Sequence, residues 1–147
     1  SISIGLGIID SSTIDDTNIL KASLSAMKQA VLSLTITPER ILVDGTRKIP
    51  GIIIPQTHIK HGDAISHVIA AASVVAKVMR DRLMDHYDAI YPNYSFSVHK
   101  GYGTKEHMKI LKKFGPCAIH RKSYKPVIAA VALKGLIFLD LDGNVSL

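Results

Sequence analysis

Two short stretches, Ile41-Leu-Val-Asp44-Gly45 and Thr57-His-Ile-Lys-His61-Gly62-Asp63, each end in an aspartate beside a glycine. The first begins with a short apolar run, typical of a buried strand in an α/β sheet. Where neighbouring strands end on the same edge of a sheet, aspartates at those ends project into one crevice and can share a divalent cation. A structural role is also open, because Asp-Gly suits a turn and an aspartate before a helix suits an N-cap. Asp44 and Asp63 are therefore the first candidate site.

The remaining patterns predict an α/β order of elements. Residues 2–9 alternate small and branched side chains, which predicts a strand whose glycines let another backbone pass close. Apolar residues recur at three- and four-residue steps over 19–34, which predicts an amphipathic helix. A further strand is predicted within 51–59, a long helix from Ala64 to just before Tyr91-Pro92, and a basic helix near 105–114. This order of strands and helices is an α/β pattern.

Length and composition restrict the class of protein. The chain has 147 residues, with 47% hydrophobic and 20% charged residues, which predicts one globular domain and excludes a disordered or fibrous chain. No apolar run approaches the roughly 20 residues that span a bilayer, and the first residues lack the basic start of a signal peptide. The single cysteine, Cys117, cannot form an internal disulfide. We expect a protein of the cytoplasm with no membrane contact.

The formal charge of +6 is unevenly distributed. Between residues 100 and 125 Glu106 is the only acid, and the stretch carries eight cations: Lys100, Lys105, Lys109, Lys112, Lys113, Arg121, Lys122 and Lys125. Such a stretch is typical of a surface that binds a polyanion, and also of a solvated basic helix face. The charge pattern leaves these two interpretations open.

Several separate motifs, in order, resemble one family. The early ones are Ile14-Asp-Asp-Thr-Asn18-Ile-Leu, Ala26-Met27 and Leu42-Val-Asp44-Gly45. The later ones are Gly62-Asp63, Ala70-Ala-Ala-Ser-Val-Val-Ala-Lys77-Val-Met-Arg80-Asp81, Tyr91-Pro92, His99-Lys-Gly-Tyr-Gly-Thr104 and His120-Arg-Lys-Ser-Tyr124-Lys-Pro126-Val. Together they cover residues 2–127 and resemble ribonuclease HII.

The resemblance implies a fold and an activity. The family fold is α/β, a ribonuclease-H-like mixed sheet flanked by helices. The family activity is endonucleolytic cleavage of the RNA strand of an RNA–DNA hybrid, or at a single ribonucleotide in duplex DNA, leaving 5′ phosphate and 3′ hydroxyl ends. Four carboxylates bind Mg²⁺ or Mn²⁺, and two such ions can activate a water and stabilise the leaving oxygen.

The resemblance also assigns residues. Asp44 and Asp63 match two of the four family carboxylates and would be catalytic metal ligands. Tyr102 matches the family tyrosine that packs on the ribonucleotide sugar and helps sense its 2′-hydroxyl. The alternative for Tyr102 is an ordinary tyrosine of a surface loop.

Further substrate contacts are expected at five polar or basic positions. The cations Lys77, Arg80, Lys100 and Arg121 could meet phosphates, although Lys77 and Arg80 could instead pair with Asp81 or Asp85. Asn18 fits a family residue that contacts the nucleic-acid backbone, and it equally fits a helix N-cap. His99, His107 and His120 do not have the spacing of a zinc motif, and we interpret them as loop and helix residues, His120 packing or lying beside phosphate.

One family segment has no match in this chain. The other two carboxylates lie in an Asp-Glu-x-Gly-Arg-Gly segment on the first central strand, so that strand is predicted to be missing here. We expect residues 1–127 to form a ribonuclease HII-like domain truncated at its N-terminus, and residues 128–147 a tail of uncertain role. The alternative function is a catalytically silent nucleic-acid-binding fragment. Expected partners are the hybrid duplex and a missing N-terminal segment, the chain itself being a monomer.

The apolar run that begins at Leu136 in this tail predicts a strand, which ends in Asp140-Leu-Asp142-Gly143. It could fill the vacant strand position, as in a permuted arrangement, and bring its aspartates near Asp44 and Asp63. It also resembles the first motif of haloacid-dehalogenase-like phosphotransferases, although the further motifs of that superfamily are absent from the printed sequence. A working phosphatase is therefore excluded as an interpretation of this chain.

Overall fold

The structure, a computed structural model, describes residues 3–140, with side chains as far as residue 133. The chain divides into two compact units, the first ending at Met79 and the second starting at Arg80. Along the chain the elements are α1 (Ser11–Asp16), α2 (Ile19–Leu32), β1 (Ile41–Asp44), β2 (Gln56–Ile59), α3 (Gly62–Ile65), α4 (His67–Ile90), a 3₁₀ turn (Pro92–Tyr94), α5 (Phe96–His99), α6 (Lys105–Phe114) and α7 (Lys125–Asp140).

The sheet of the first unit is one parallel pair among the described residues, β1 beside β2. Ile41 lies opposite Gln56 and Asp44 lies opposite Ile59, so both strands end at the same edge. The strand predicted from Ile41 is confirmed, with Val43 only 3% exposed. The second strand begins only at Gln56, because the preceding proline has no N–H for a ladder and offers only its carbonyl, which accepts from the Ile41 N–H at 2.9 Å.

The strand predicted at residues 2–9 is wrong for the described residues 3–9. The N–H groups of Leu6 and Ile8 donate to side chains of α2 and its end, Ser33 Oγ at 3.1 Å and Gln29 Oε1 at 3.2 Å. A segment whose donors are satisfied by side chains forms no ladder, although its alternating sequence is that of a strand. The predicted close approach at its glycines is confirmed, since a Cβ on Gly5 or Gly7 would overlap a carbonyl of α2.

The long helix predicted from Ala64 is interrupted at its start. Ser66 has extended backbone angles, φ −114° and ψ 119°, which separate the one-turn α3 from α4. The helix then ends at Ile90, before Tyr91-Pro92 as predicted. In the first unit its apolar residues remain largely in solvent, Val68 and Val74 being 68% and 61% exposed. The small and apolar composition of this segment predicts a helix packed against a sheet with little surface left for water, and that prediction is wrong for these described residues.

The second unit has a small core between α6 and α7, formed by Leu111, Val127 and Ala130 with Met108 packed against it. The predicted basic helix is confirmed as α6, which Thr104 caps by accepting from the His107 N–H at 3.2 Å. Gly115, with φ 78°, ends it before Pro116. No helix in the described part of the chain is long and apolar enough to cross a membrane.

The strand predicted from Leu136 is wrong as far as Asp140, because α7 continues through that point. Pro126 lies in the first turn of α7, where its missing N–H costs no hydrogen bond. The remaining tail residues, Asp142 and Gly143 among them, lie outside the described part. The proposed boundary between 127 and 128 falls inside this helix, and the division into domain and tail stays a prediction.

Gly7→Ala is expected to destabilise the chain by about 1–3 kcal/mol, because the new methyl group would have to push the N-terminal segment away from α2. Urea unfolding followed by far-ultraviolet circular dichroism measures this change. Gly103→Ala is the matched control, since its Cβ would meet only the Tyr124 hydroxyl at 3.5 Å. Equal midpoints for the two variants would contradict the close packing of this segment.

Candidate functional site

Asp44 ends β1 and is connected to the start of α3. Its Oδ1 accepts from the backbone N–H of Gly62 at 2.8 Å, a contact between residues 18 apart in sequence. Gly45 then turns the chain with φ +98°, a conformation that favours glycine, and its N–H donates to the Ile59 carbonyl at 2.9 Å. Asp44-Gly45 therefore forms a turn, as one of the two interpretations predicts. The two stretches that carry the aspartates also meet, as the other predicts.

Asp63 is the residue after Gly62 and lies in the first turn of α3. It is exposed, and its Oδ1 accepts from the Ala64 N–H at 3.0 Å. The N-cap position of α3 belongs to His61, so the capping alternative for Asp63 is wrong. Gly62 is buried, and a Cβ there would lie 2.6 Å from the Ile69 side chain and 3.4 Å from Asp44 Oδ1. A side chain at position 62 would therefore have to displace the end of the Ile69 side chain.

The chemistry of this pair fits part of a site for a hard cation. Mg²⁺ and Mn²⁺ prefer carboxylate oxygens, and Mg²⁺ keeps several waters when only one or two carboxylates bind it. In each aspartate one oxygen accepts a backbone N–H, which orients the other. The described residues contain no group of three or more acidic, histidine or cysteine side chains placed to hold a metal. Asp44 and Asp63 could thus offer two carboxylate ligands to such a cation.

Asn18 is the N-cap of α2. Its side chain accepts from the Lys21 N–H at 2.9 Å, with extended backbone at φ −177°. The capping alternative is thereby confirmed. A contact of the exposed Asn18 with a nucleic-acid backbone stays a prediction, as does a phosphate contact by Lys77, which is exposed on the part of α4 in the first unit.

Tyr102 lies in the second unit, in a loop held by its own backbone. Lys100 and Gly101 have left-handed conformations, with φ 49° and 74°. The Tyr102 N–H donates to the His99 carbonyl, and the Tyr102 carbonyl accepts from the Thr104 N–H, both at 2.8 Å. Gly101 is needed for its positive φ, whereas Gly103 has no such conformation.

The ring of Tyr102 is 52% exposed, and the guanidinium carbon of Arg80 lies 4.3 Å from its centroid. This cation–π contact pairs two of the predicted substrate-binding residues, although they are 22 positions apart in sequence. Because the guanidinium covers one face of the ring, it restricts the directions in which the ring can swing. About half of the surface of Tyr102 nevertheless remains exposed.

The other two predicted phosphate contacts have partners of their own. Lys100 pairs with Asp85, one of the two acids predicted to engage Lys77 or Arg80. Arg121 lies over the Tyr124 ring, 5.6 Å from its centroid, and donates weakly to Ser123 Oγ at 3.4 Å. Both are surface contacts of modest strength, which a phosphate could replace at small cost.

Three histidines of the second unit are buried, with exposed fractions of 4% for His99, 5% for His107 and 8% for His120. The His99 and His107 rings stack at 4.0 Å, and the Nε2 atoms of His107 and His120 are 3.1 Å apart. The packing interpretation of His120 is therefore confirmed. The direct contacts among the three histidines had no signal in sequence spacing, because the chain brings positions 99, 107 and 120 together only through its fold.

Burial lowers the basicity of two of these imidazoles, those of His107 and His120. Burial lowers the pKa of His120 to about 4, with a further contribution from His107. Burial likewise lowers the pKa of His107, whereas burial raises the pKa of the Cys117 thiol beside them. His107 and His120 are therefore neutral at pH 7.

The chain belongs to a known structural class. A crystal structure of the ribonuclease H2 from Pyrococcus horikoshii superposes with a TM-score of 0.66 at 20% identity, covering 83% of this chain and 65% of that one. This likeness shows the fold, an α/β ribonuclease-H-like architecture. A family model described as Ribonuclease HII matches residues 4–127.

The curated relatives agree with the family model. Proteins named Ribonuclease HII from Geotalea uraniireducens and Geotalea daltonii are each 52% identical, over 84% and 86% of this chain. One from Lactobacillus helveticus is 50% identical over 86%. The chain is a member of the ribonuclease HII family. It spans 57%, 58% and 50% of the length of these three relatives.

The free energy of unfolding of the second unit is expected to fall as the pH falls from about 6.5, the ordinary pKa of an imidazole, toward 4. In that window the unfolded chain binds protons that buried His120 and His107 do not, so acid favours unfolding. All five tyrosines lie in the second unit, so urea unfolding followed by tyrosine fluorescence at pH 7.5, 6.5 and 5.5 reports on it.

His120→Gln removes one of the titrating groups and should flatten this pH dependence. His86→Gln, at an exposed histidine of the same unit, is the matched control and should keep it. A stability that is constant or rises between pH 7.5 and 5.5 in the unaltered chain would refute the neutral buried cluster.

Proposed function

We propose that this chain is part of a metal-dependent endonuclease that cuts the RNA strand of an RNA–DNA hybrid, or at a single ribonucleotide in duplex DNA. The observation that carries the proposal is the hydrogen bond from Gly62 to Asp44, which brings Asp44 beside Asp63 at one edge of the sheet. Membership of the ribonuclease HII family supports it. Since the chain spans about half to three fifths of its relatives, the other carboxylates are proposed to come from a segment outside it.

Asp44 and Asp63 would hold Mg²⁺ or Mn²⁺, which when bound supplies activation of a water and stabilisation of charge on the leaving oxygen. The residues of this chain would hold the two carboxylates in position. The backbone N–H groups of Gly62 and Ala64 each fix one carboxylate oxygen and so aim the other. Asp44 follows a paired strand and Asp63 begins a helix, so both ligands lie on ordered backbone.

Tyr102 would recognise the ribonucleotide. The 2′-hydroxyl is the group that separates RNA from DNA at one nucleotide, and an exposed tyrosine ring with a fixed backbone can pack on that sugar. Arg80 holds one face of the ring. Lys77, Lys100 and Arg121 would meet phosphates, which position the duplex without reading its sequence. The formal charge of +6 favours such a partner.

A second candidate function is binding without cleavage. It is favoured by one observation: the described residues contain only two of the carboxylates and no three-ligand group. The chain should be incubated with a duplex carrying one ribonucleotide, with and without Mg²⁺. Magnesium-dependent nicking at the ribonucleotide supports the enzyme, and binding with an intact duplex supports the silent binding fragment.

In the complete enzyme, with the segment that supplies the other carboxylates, Asp44→Asn and Asp63→Asn are each expected to lower magnesium-dependent nicking by at least about 100-fold, because even groups that only hydrogen-bond to metal ligands are worth 10–100-fold. Asparagine can still accept the N–H of Gly62 or Ala64, so the urea midpoint should change little. Glu39→Gln, which removes an exposed charge just before β1, is the control and should retain activity. Cleavage by either aspartate variant at the unaltered rate would refute the assignment.

Tyr102→Ala is expected to reduce the preference for a ribonucleotide-containing duplex over an all-DNA duplex by about fivefold, corresponding to roughly 1 kcal/mol of lost stacking. Fluorescence anisotropy with the two labelled duplexes measures the ratio. Phe114→Ala is the control, because Phe114 is also an exposed aromatic with a cation over its ring, Lys113 at 4.9 Å. An unchanged ratio for Tyr102→Ala would contradict sugar recognition by this ring.

A further inference from the structure

The buried histidines form a directional chain of hydrogen bonds that ends on Tyr102. At one end the backbone N–H of Cys117, which can only donate, lies 3.0 Å from His120 Nδ1. A neutral His120 must then carry its hydrogen on Nε2, which faces His107 Nε2 at 3.1 Å. His107 accepts there and carries its own hydrogen on Nδ1, which lies 2.9 Å from the Tyr102 carbonyl. That carbonyl can only accept. The donor at the Cys117 end and the acceptor at the Tyr102 end therefore require the same tautomers of His120 and His107.

His99 braces the same loop from the other side. Its Nδ1 accepts from the Gly101 N–H at 3.2 Å, which leaves Nε2 to donate to the Tyr94 carbonyl at 2.7 Å. Its ring stacks on that of His107 with an interplanar angle of 9°. The backbone on both sides of the Tyr102 Cα is therefore tied to histidines, through the Gly101 N–H, the Tyr102 N–H and the Tyr102 carbonyl.

We propose that His99, His107 and His120, here called the histidine relay, position the Tyr102 loop for recognition of the ribonucleotide, with His107 as the positioning residue that holds the Tyr102 carbonyl. This inference rests on the proposed function of Tyr102. Discriminating a single hydroxyl requires the recognising group to be held within about 0.5 Å, and residues behind the contact provide that precision. None of the three histidines need touch the substrate.

The relay is surrounded by one apolar ring and a few polar or titratable groups. Phe96 packs against all three rings, at 5.6, 5.9 and 5.7 Å between centroids. The polar groups facing it are the Cys117 thiol, 3.1 Å from His120 Nδ1, and Tyr94, whose hydroxyl donates to the Gly115 carbonyl. Asp88 interacts electrostatically with His99 and accepts from Ser97 Oγ at 2.5 Å.

A proton added at either of two relay nitrogens would face a hydrogen that a neighbouring group already donates there. On His120 Nδ1 it would face the Cys117 N–H, and on His107 Nε2 it would face the His120 Nε2–H. The hydrogen-bonded chain from Cys117 to Tyr102 therefore requires His107 and His120 to be neutral and in one pattern of tautomers. That pattern is a spectroscopic signature that simple packing of three rings would not require.

The first test needs no variant. Nitrogen-15 NMR of the full chain at pH 7 reports which imidazole nitrogen carries the hydrogen in each histidine. The expected pattern is Nδ1–H for His107 and Nε2–H for His99 and His120. The opposite tautomer at His107, or a charged imidazole there, would overturn the relay.

The second test uses a pair of variants at one position. The amide of an asparagine occupies the place of Nδ1, so His107→Asn keeps a donor to the Tyr102 carbonyl. The amide of a glutamine occupies the place of Nε2, so His107→Gln removes that donor. Hydrogen exchange of the Tyr102 and Thr104 amides measures the loop, and the ratio of affinities for ribonucleotide-containing and all-DNA duplexes measures recognition. His86→Gln, at an exposed histidine, is the control.

His107→Gln is expected to speed exchange of the two amides by about tenfold, the effect of one lost hydrogen bond, and to lower the affinity ratio, while His107→Asn and His86→Gln preserve both. Unchanged exchange and ratio in His107→Gln would overturn the proposal, as would faster exchange with an unchanged ratio. A third outcome separates the two proposals: exchange follows the expected pattern, but the unaltered chain shows no preference between the duplexes. That outcome would support the relay as the structure that holds the loop, and it would contradict the proposed recognition by Tyr102.

Discussion

The hydrogen bond from the Gly62 N–H to Asp44 Oδ1 is the interaction on which the candidate active site depends. It joins the end of β1 to the first turn of α3 and so sets the approach of Asp63 to Asp44. A charged acceptor makes such a bond stronger than one between neutral groups. Gly62 permits it, because any side chain there would displace Ile69 or crowd the carboxylate. The same contact therefore serves the turn and the proposed metal site.

The recognition loop depends on a different kind of constraint. Tyr102 is exposed and Arg80 lies over its ring, but the backbone of this loop is hydrogen-bonded to buried imidazoles. Burial lowers the pKa values of His107 and His120, so these two rings can hold the loop backbone without adding charge to it. On the proposal made above, the surface cations of this basic stretch would attract the nucleic acid and the buried histidines would position the loop.

Much of this arrangement could be predicted from the residues alone. The strand at Ile41, the helix end before Pro92 and helix α6 follow local rules, and the meeting of Asp44 with the Gly62-Asp63 turn follows from two strands ending at one edge. The strand predicted at residues 2–9 failed because Ser33 and Gln29 satisfy its donors, a tertiary contact that alternation cannot reveal. The tail from Leu136 failed because a run of apolar residues fits a helix as well as a strand. The histidine contacts were missed because spacing in sequence carries no information on ring-to-ring geometry.

The most direct measurement of the central claim is paramagnetic broadening of backbone amide resonances by Mn²⁺ in the full chain. Mn²⁺ prefers the same oxygen ligands as Mg²⁺ and broadens only amides near it. The account predicts that the amides of Gly45, Gly62 and Ala64 broaden first, that excess Mg²⁺ reverses the effect, and that Asp44→Asn abolishes it while Glu39→Gln does not. Broadening centred on any other acidic residue, or equal broadening in Asp44→Asn, would contradict a shared cation site at Asp44 and Asp63.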